Sequence, residues 1–270
     1  MPQVTAVCAH PWAYAASQPQ YNITPILRGM FADFSAAGFD AVELMGNVLT
    51  SGEATRTVAD LAAEFSLPVI GCSFGGAMSD PAQHDTILAE AERTLDALHE
   101  LGAQTFGVST GGAPGGQKTD DELDIQCRLL RRLMDMAADR GVLLNLHNHT
   151  YEALWGEHEI NGNIQRLPDV KLGPDLNWLR RAGVCPTDFL RRHAGRIAFM
   201  HLRDQQGECW VEALGDGDED CLAIGAVLDE TGFSGPVAIE LAHEAGTDFT
   251  RTMGENFAVS CRNLRVAWGL

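Results

Sequence analysis

Residues 143–152 of the chain, LLNLHNHTYE, begin as an apolar run and end in side chains that bind metals or move protons. The apolar part is typical of a buried strand, and His147, His149 and Glu152 lie at or just beyond its end. Residues two apart on a strand share a face, so Asn145, His147 and His149 are expected to point to the same side. Imidazole and carboxylate groups in such a cluster predict a metal site, acid–base catalysis, or both.

Four other apolar runs end in the same kinds of residue, namely Glu43, Asp175, His201 with Arg203 two residues later, and Glu240. If the runs are parallel strands of a barrel, their carboxyl ends meet at one rim and these side chains converge there. A polar face inside a barrel needs a partner, because an unpaired buried polar group costs on the order of a few kcal/mol. A divalent metal satisfies several such groups at once.

The residue types also restrict which metal such a site would bind. A mixed set of imidazoles and carboxylates without a thiolate favours Mn²⁺, with Zn²⁺, Co²⁺, Mg²⁺ and Fe²⁺ as alternatives, and is too rich in nitrogen for a dedicated Ca²⁺ site. A metal bound to adjacent oxygens of a keto-sugar acidifies the C–H bond beside the carbonyl, and a glutamate can then move that proton.

Each candidate also has a purely structural interpretation. Glu43 could pair with Arg203 or another cation at the rim, and His149 could hydrogen-bond to a ligand instead of binding the metal. Asp175 could cap the following turn, and His201 could be a hydrogen-bonded core histidine. All of these residues lie at strand ends, and a single functional site explains this better than a separate structural role for each residue.

The elements that would position these residues follow an alternating pattern along the whole chain. Eight apolar runs alternate with segments of helical period, which predicts a single (β/α)₈ barrel domain over residues 1–270. Helix starts are predicted at Asp80-Pro81 and at the capping box Thr119–Glu122, and a last helix is predicted over 247–266. The predicted strands are 4–9, 41–44, 68–73, 105–109, 142–147, 170–175, 197–202 and 237–241.

Composition excludes several classes of function. The 270 residues carry a formal net charge of -18, which disfavours binding to nucleic acid or to an anionic membrane. No run of apolar residues is long enough to span a bilayer and no signal-peptide pattern is present, so we expect a cytoplasmic protein. The seven scattered cysteines contain no C-x-x-C pair and are expected to be reduced thiols.

Several stretches in this order resemble the xylose isomerase-like barrel superfamily, which includes the sugar phosphate isomerases and epimerases. They are residues 38–43 (GFDAVE), 141–152, 175–178 (DLNW) followed by Ala182-Gly183, 201–204 (HLRD), and 214–217 (LGDG) leading to Ile239-Glu240. In that family a glutamate, an aspartate, a histidine and a glutamate from the last four strands hold the metal. The resemblance therefore implies Asp175, His201 and Glu240 as ligands, with His147 at the position of the first glutamate.

The departure at His147 affects the function that the resemblance implies, because epimerases of the family use both glutamates as bases. The HNH pattern with D-x-x-W resembles a subgroup near the inosose dehydratases and the enzymes that eliminate from or hydrate 3-keto-glycosides. Arg203 also replaces the lysine usual in this family, which keeps the positive charge and offers more N–H donors in a planar arrangement.

These observations predict a metal-dependent isomerase or epimerase that acts on a ketose or keto-polyol, with a lyase of the dehydratase type as the alternative. The catalytic residues would be Glu240, His147, His149 and Glu43, and the metal ligands His147, Asp175, His201 and Glu240. The substrate-binding residues would be Arg203, Glu152, Trp178, Trp12 and His10. A non-catalytic sugar-binding protein and an apurinic-site endonuclease are minor alternatives, and a homo-oligomer is possible.

Overall fold

The computed structural model of the protein describes residues 2–113 and 115–270, with eight parallel strands at its centre. In chain order these strands are β1 (Gln3–Ala9), β2 (Ala41–Met45), β3 (Val69–Gly75), β4 (Thr105–Ser109), β5 (Leu143–Leu146), β6 (Lys171–Leu172), β7 (His201–Leu202) and β10 (Ser234–Ile239). A short antiparallel hairpin, β8 (Gln205–Gln206) and β9 (Cys209–Trp210), follows β7.

The sheet closes on itself to form a barrel. Its strand order is β6-β5-β4-β3-β2-β1-β10-β7, and single parallel bridges, Leu172 with Ile197 and Asp175 with His201, join its two edges. The predicted (β/α)₈ barrel is therefore confirmed. The strands predicted at 170–175 and 197–202 are too long, because regular pairing at this closure is limited to Lys171–Leu172 and His201–Leu202.

Ten helices in the described residues surround the barrel, and their starts follow the sequence signals in most cases. Thr119 and Glu122 form the predicted capping box, whereas Asp80 caps a short 3₁₀ turn that precedes its helix. The helices are α1 (Trp12–Ala15), α2 (Leu27–Ala37), α3 (Gly52–Glu64), α4 (His84–Glu100), α5 (Asp120–Ala138), α6 (Thr150–Arg166), α7 (Leu176–Arg181), α8 (Pro186–Arg192), α9 (Cys221–Thr231) and α10 (Met253–Trp268).

The short helices α1 and α7 were not predicted, and two longer helices, α6 and α10, also differ from the prediction. The last helix begins at Met253 rather than at 247, because Thr252 and Glu255 form a capping box there. Helix α6 was not predicted, since residues 154–157 leave the helical conformation and interrupt its apolar period. Three consecutive residues in this break, from Trp155 to Glu157, have positive φ angles between 54° and 69°.

The main core lies between the barrel and the helices, where apolar strand and helix residues pack in one continuous cluster. The seven cysteines form no disulfide with one another. In the described part of the chain, no helix combines the length and the apolar character that a membrane span requires.

Candidate active site

A cavity of about 610 Å³ opens at the carboxyl ends of the barrel strands. This is the end at which barrels of this type bind their substrates. Six of the residues predicted from the sequence line the cavity: His10, Trp12, His147, His149, His201 and Glu240. The other five, Glu43, Glu152, Asp175, Trp178 and Arg203, lie around this lining and contact it.

His147, His201 and Glu240 bring their donor atoms together at the base of the cavity. One ligand atom from each lies within 4.8 Å of the others. The two imidazoles face each other through their Nδ1 atoms at 2.9 Å, and His201 Nε2 lies 3.8 Å from Glu240 Oε2. The three residues come from the ends of β5, β7 and β10, so the barrel topology creates the cluster.

Glu43 holds His201 from beneath the cavity. Its Oε2 atom lies 2.5 Å from His201 Nε2, and both side chains are almost fully buried. A carboxylate on one ring nitrogen fixes the tautomer and the orientation of an imidazole, and leaves the other nitrogen directed at the site. Glu43 therefore acts as a positioning residue for His201, and its sequence assignment as a catalytic residue stays a prediction.

The carboxylates around His201 favour a positive charge at its ring, which either a proton or a bound metal ion can supply. Burial lowers its pKa, but the carboxylates of Glu43, Glu240 and Asp175 outweigh burial and raise that pKa to about 9. Burial and the cationic forms of His201 and His149 lower the pKa of His147 well below its usual range. A neutral imidazole at His147 is the form that ligates metals.

Asp175 and Arg203 form a buried ion pair beside this cluster. Asp175 Oδ1 accepts the backbone N–H groups of Asn177 and Trp178, both at 3.0 Å, and so caps α7. Asp175 Oδ2 accepts from Arg203 Nη2, which also lies 3.0 Å from Glu240 Oε2. Both oxygens of Asp175 are thus engaged, and the structure does not bring Asp175 into the three-residue cluster.

Arg203 orients the carboxylate of Glu240. Burial raises the pKa of Glu240, but the adjacent guanidinium and the neighbouring imidazoles lower it more strongly, so that the net shift is well downward. Trp178 and Trp210 flank the guanidinium, each with its ring centre 5.2 Å from the Arg203 carbon Cζ. Trp178 therefore packs against Arg203, although its sequence assignment was substrate binding.

His149 and Glu152 form a second imidazole–carboxylate pair at the rim. Glu152 Oε2 accepts the backbone N–H of His149 at 2.5 Å and lies 3.5 Å from His149 Nδ1. The His149 ring lies in the cavity wall with Ser109 Oγ and the Tyr151 hydroxyl each 3.1 Å from Nδ1. Burial lowers the pKa of His149, but the hydrogen bond and charge of Glu152 raise it above its usual value.

His10 lies at the end of β1, on the opposite side of the cavity from His149. Its Nε2 is 3.0 Å from Ser73 Oγ, and its Nδ1 accepts the backbone N–H of Trp12 at 3.3 Å and lies 3.8 Å from Glu240 Oε1. Burial lowers its pKa more than the charge of Glu240 raises it, so His10 is a neutral imidazole.

Sequence reasoning missed a buried network that anchors this rim. Glu152 Oε1 accepts from Ser109 Oγ and from both the N–H and the hydroxyl of Thr110, each at 3.0 Å. Thr110 in turn contacts the Lys118–Glu159 ion pair, whose two side chains are 1% and 7% exposed. Lysine is almost never fully buried unless it is paired, but its partner, 41 positions away, cannot be recognised from sequence spacing.

The residues present fit a divalent metal at the base of the cavity. Two imidazoles and one carboxylate are the donor types that Mn²⁺, Zn²⁺, Co²⁺ and Fe²⁺ accept. Glu43 supplies the outer hydrogen bond that ligating histidines usually make. The candidate set is thus His147, His201 and Glu240, with Asp175 bound instead to Arg203.

Residues 31–260 match the family model described as xylose isomerase-like TIM barrel. The chain belongs to the xylose isomerase-like TIM barrel family. The resemblance found in the sequence motifs is thereby confirmed. The match begins within α2 and ends within α10, so it includes every barrel strand except β1.

One curated relative is the inosose dehydratase of Geobacillus thermodenitrificans, which is 26% identical over 177 residues. The alignment covers 54% of this chain and 59% of that enzyme, so the chain spans less than two thirds of the relative's length.

Solved structures of sugar epimerases have the same fold. The 3-keto-D-glucoside 4-epimerase from E. coli is 18% identical with a TM-score of 0.72, covering 96% of this chain and 98% of the other. The D-allulose 3-epimerase from Methylomonas sp. is 16% identical with a TM-score of 0.76, covering 99% of both chains. At these identities the similarity establishes the fold alone.

Proposed function

We propose that the protein is a metal-dependent sugar isomerase or epimerase that acts on a ketose or keto-polyol by removing a proton beside the carbonyl. One observation carries this proposal. The His147, His201 and Glu240 donor atoms converge at the base of a cavity that has a histidine on each of two opposite walls. Epimerases among the structural neighbours are consistent with this reaction class.

His147, His201 and Glu240 would hold the metal, for which Mn²⁺ is the favoured ion. When bound there, a divalent metal polarises the carbonyl and makes the neighbouring C–H bond more acidic. Glu43 keeps His201 in one tautomer, and Arg203 keeps the Glu240 carboxylate ionised and oriented. Neither residue needs to contact the substrate to do so.

His10 and His149 are placed to exchange protons with opposite faces of a substrate. They follow β1 and β5, which lie four strands apart around an eight-stranded barrel. In this proposal His10 would take the proton at Nδ1, giving up the 3.3 Å hydrogen bond from the Trp12 N–H, while Glu152 favours the protonated form of His149 as a donor. Inversion at carbon requires such a pair, since the proton leaves one face and returns to the other.

A dehydratase is the second candidate, and the match to the inosose dehydratase favours it. The same residues would serve this reaction, because elimination needs a base for the proton and an acid for the departing hydroxyl. Protonated His149 would be that acid. The free thiols of the chain are consistent with a reducing compartment for either enzyme.

Metal analysis combined with proton exchange tests the proposal. We expect about one Mn, Co, Zn or Fe per chain in the purified protein, with the metal lost in His147→Ala and Glu240→Gln. Arg128→Ala, at an exposed position on α5, is the control and should keep the metal. The protein should exchange a carbon-bound proton of ketoses or keto-polyols with deuterated solvent, and release of water would instead assign the dehydratase. A protein that binds no divalent ion would refute the proposed mechanism.

A further inference from the structure

We propose that a second site, separate from the metal ligands, binds a single hydroxyl group at the floor of the cavity. We call it the floor site, and it consists of Glu43 Oε1 and the side-chain amide of Asn145 beside Gly107. Asn145 lies on β5, two residues before His147, and has no role in the proposed reaction. The hydroxyl group belongs to an ordered water molecule or to the substrate, and only the second of these sources rests on the proposed function.

The floor site consists of buried polar atoms whose hydrogen-bonding capacity is unused in the described part of the chain. Within residues 2–113 and 115–270, no hydrogen-bond partner is present for Glu43 Oε1 or for Oδ1 and Nδ2 of Asn145. Both side chains are only 1% exposed, so bulk water does not satisfy them either. Buried side-chain polar atoms in native proteins nearly always have a partner, and a group of them in one place indicates a binding site.

Gly107 on β4 leaves the space that a ligand of the floor site needs. A Cβ atom at Gly107 would lie 3.3 Å from Glu43 Oε1, 3.7 Å from the Cys72 carbonyl oxygen and 3.8 Å from Asn145 Oδ1. Apart from Gly107 and its chain neighbours, these are the three heavy atoms nearest to that point. Gly107 also lines the cavity, so the space opens into it.

Glycines on both sides of Asn145 shape the floor site. Gly107 is the register partner of Asn145 on β4, and Gly173 follows β6, the other strand that pairs with β5. A Cβ atom at Gly173 would overlap Asn145 Oδ1 and would lie 3.4 Å from the Phe199 side chain. The amide therefore occupies the space at Gly173, whereas the space at Gly107 is available to a ligand.

The donors and acceptors of the floor site identify a hydroxyl group as its ligand. Asn145 Nδ2 can only donate a hydrogen bond, while Asn145 Oδ1 and the ionised Glu43 carboxylate can only accept one. A cation would satisfy the oxygens but not Nδ2, and an anion would be repelled by Glu43. A hydroxyl group both donates and accepts. Turning the amide over exchanges its two atoms and leaves the same requirement.

Glu43 connects the floor site to the metal site. Its Oε2 atom lies 2.5 Å from His201 Nε2, while its Oε1 atom faces the space beside Gly107. A hydroxyl group that donates to Oε1 would hold the carboxylate in the orientation that positions His201. With water in the floor site, Asn145 is a positioning residue that acts through Glu43. With a substrate hydroxyl there, Asn145 contacts the substrate and contributes to its selection.

High-resolution crystal structures of the full chain, alone and with D-fructose, test the floor site. We expect one oxygen peak within hydrogen-bonding distance of Glu43 Oε1 and of the Asn145 amide. A peak that is present without the sugar and persists beside it assigns water, whereas a sugar hydroxyl at that position assigns the substrate. A direct hydrogen bond between Asn145 and Glu43, or no density beside Gly107 in either crystal, would overturn the inference.

Thermal unfolding of two variants provides a test in solution. Asn145→Leu should lower Tm by roughly 2–6 °C, because it removes hydrogen bonds to the bound hydroxyl group. In a Gly107→Ala background, whose methyl group fills the space, the same change should no longer lower Tm. Gly29→Ala, where a new methyl group meets no atom within 4 Å, is the control background and should keep the loss.

A rise in Tm for Asn145→Leu alone would also overturn the inference, since the removal of polar atoms that truly have no partner stabilises a protein. If Asn145→Leu does not fold, the crystal structures of the parent protein still decide. These readouts need neither metal nor turnover. A protein that binds no divalent ion would therefore refute the proposed function and leave the floor site standing, whereas metal binding without the oxygen peak would refute only the floor site.

Discussion

Replacing Lys118 with methionine should destabilise the protein far more than replacing a surface cation. Lys118 Nζ donates to Glu159 Oε1 at 2.7 Å, to Gln126 Oε1 at 2.7 Å and to the Gly111 carbonyl at 2.6 Å. The side chains of Lys118 and Glu159 are 1% and 7% exposed. The substitution keeps most of the apolar volume but leaves a carboxylate buried without its counter-ion.

Breaking a buried pair in this way costs about 3–5 kcal/mol, because the remaining charge is uncompensated. The double variant Lys118→Met, Glu159→Gln removes both charges and should recover about 1–3 kcal/mol of that loss. This is the size of the interaction energy that double-mutant cycles give for residues in contact. Arg131→Met is the matched control. Its ion pair with Asp169 is 39% and 61% exposed, so its loss should cost less than about 1 kcal/mol.

Urea unfolding followed by circular dichroism would measure these free energies. The single variant should also weaken activity, since the network continues through Thr110 to Glu152 and His149. A loss below about 1 kcal/mol for Lys118→Met, or strict additivity of the two substitutions, would refute the reasoning.

Two further predictions concern the site and its surroundings. Glu43→Ala should weaken Mn²⁺ binding roughly 10–100-fold in a calorimetric titration, because His201 loses the carboxylate that orients it. Glu64→Ala, on the surface, is the control and should leave the affinity unchanged. An unchanged affinity of Glu43→Ala for Mn²⁺ would contradict the positioning role of Glu43. Burial raises the pKa of Glu219 to about 7, so the folded state retains a proton that the unfolded chain, with a pKa of about 4.3, releases. The contribution of Glu219 to the free energy of unfolding is therefore fully present below about pH 4 and is lost as the pH rises to 7. Glu219→Gln should be progressively more stable than the parent between those values, by about 2–4 kcal/mol at pH 7, and parallel stability profiles of the two proteins would disprove the assignment.

Local patterns were sufficient to predict the barrel and most of its rim. Strand and helix periods depend on neighbouring residues alone, so the eight strands and the capping box at Thr119 could be found without tertiary information. Helix α6 could not, because the left-handed residues from Trp155 to Glu157 break its period and are stabilised by contacts elsewhere. One such contact is the ion pair of Glu157 with Arg192.

The sequence by itself determined which residues reach the carboxyl ends of the strands, because parallel strands of known order must place their ends together. His147, His201 and Glu240 converge for this reason. Only the tertiary structure decided how the charged groups pair, since each choice depends on distances between segments far apart in the chain. Glu43 contacts His201, whereas Asp175 contacts Arg203 and caps α7 instead of joining the three-residue cluster. In a buried site each charge takes the nearest partner that compensates its desolvation, and that partner is set by the closed barrel rather than by sequence spacing.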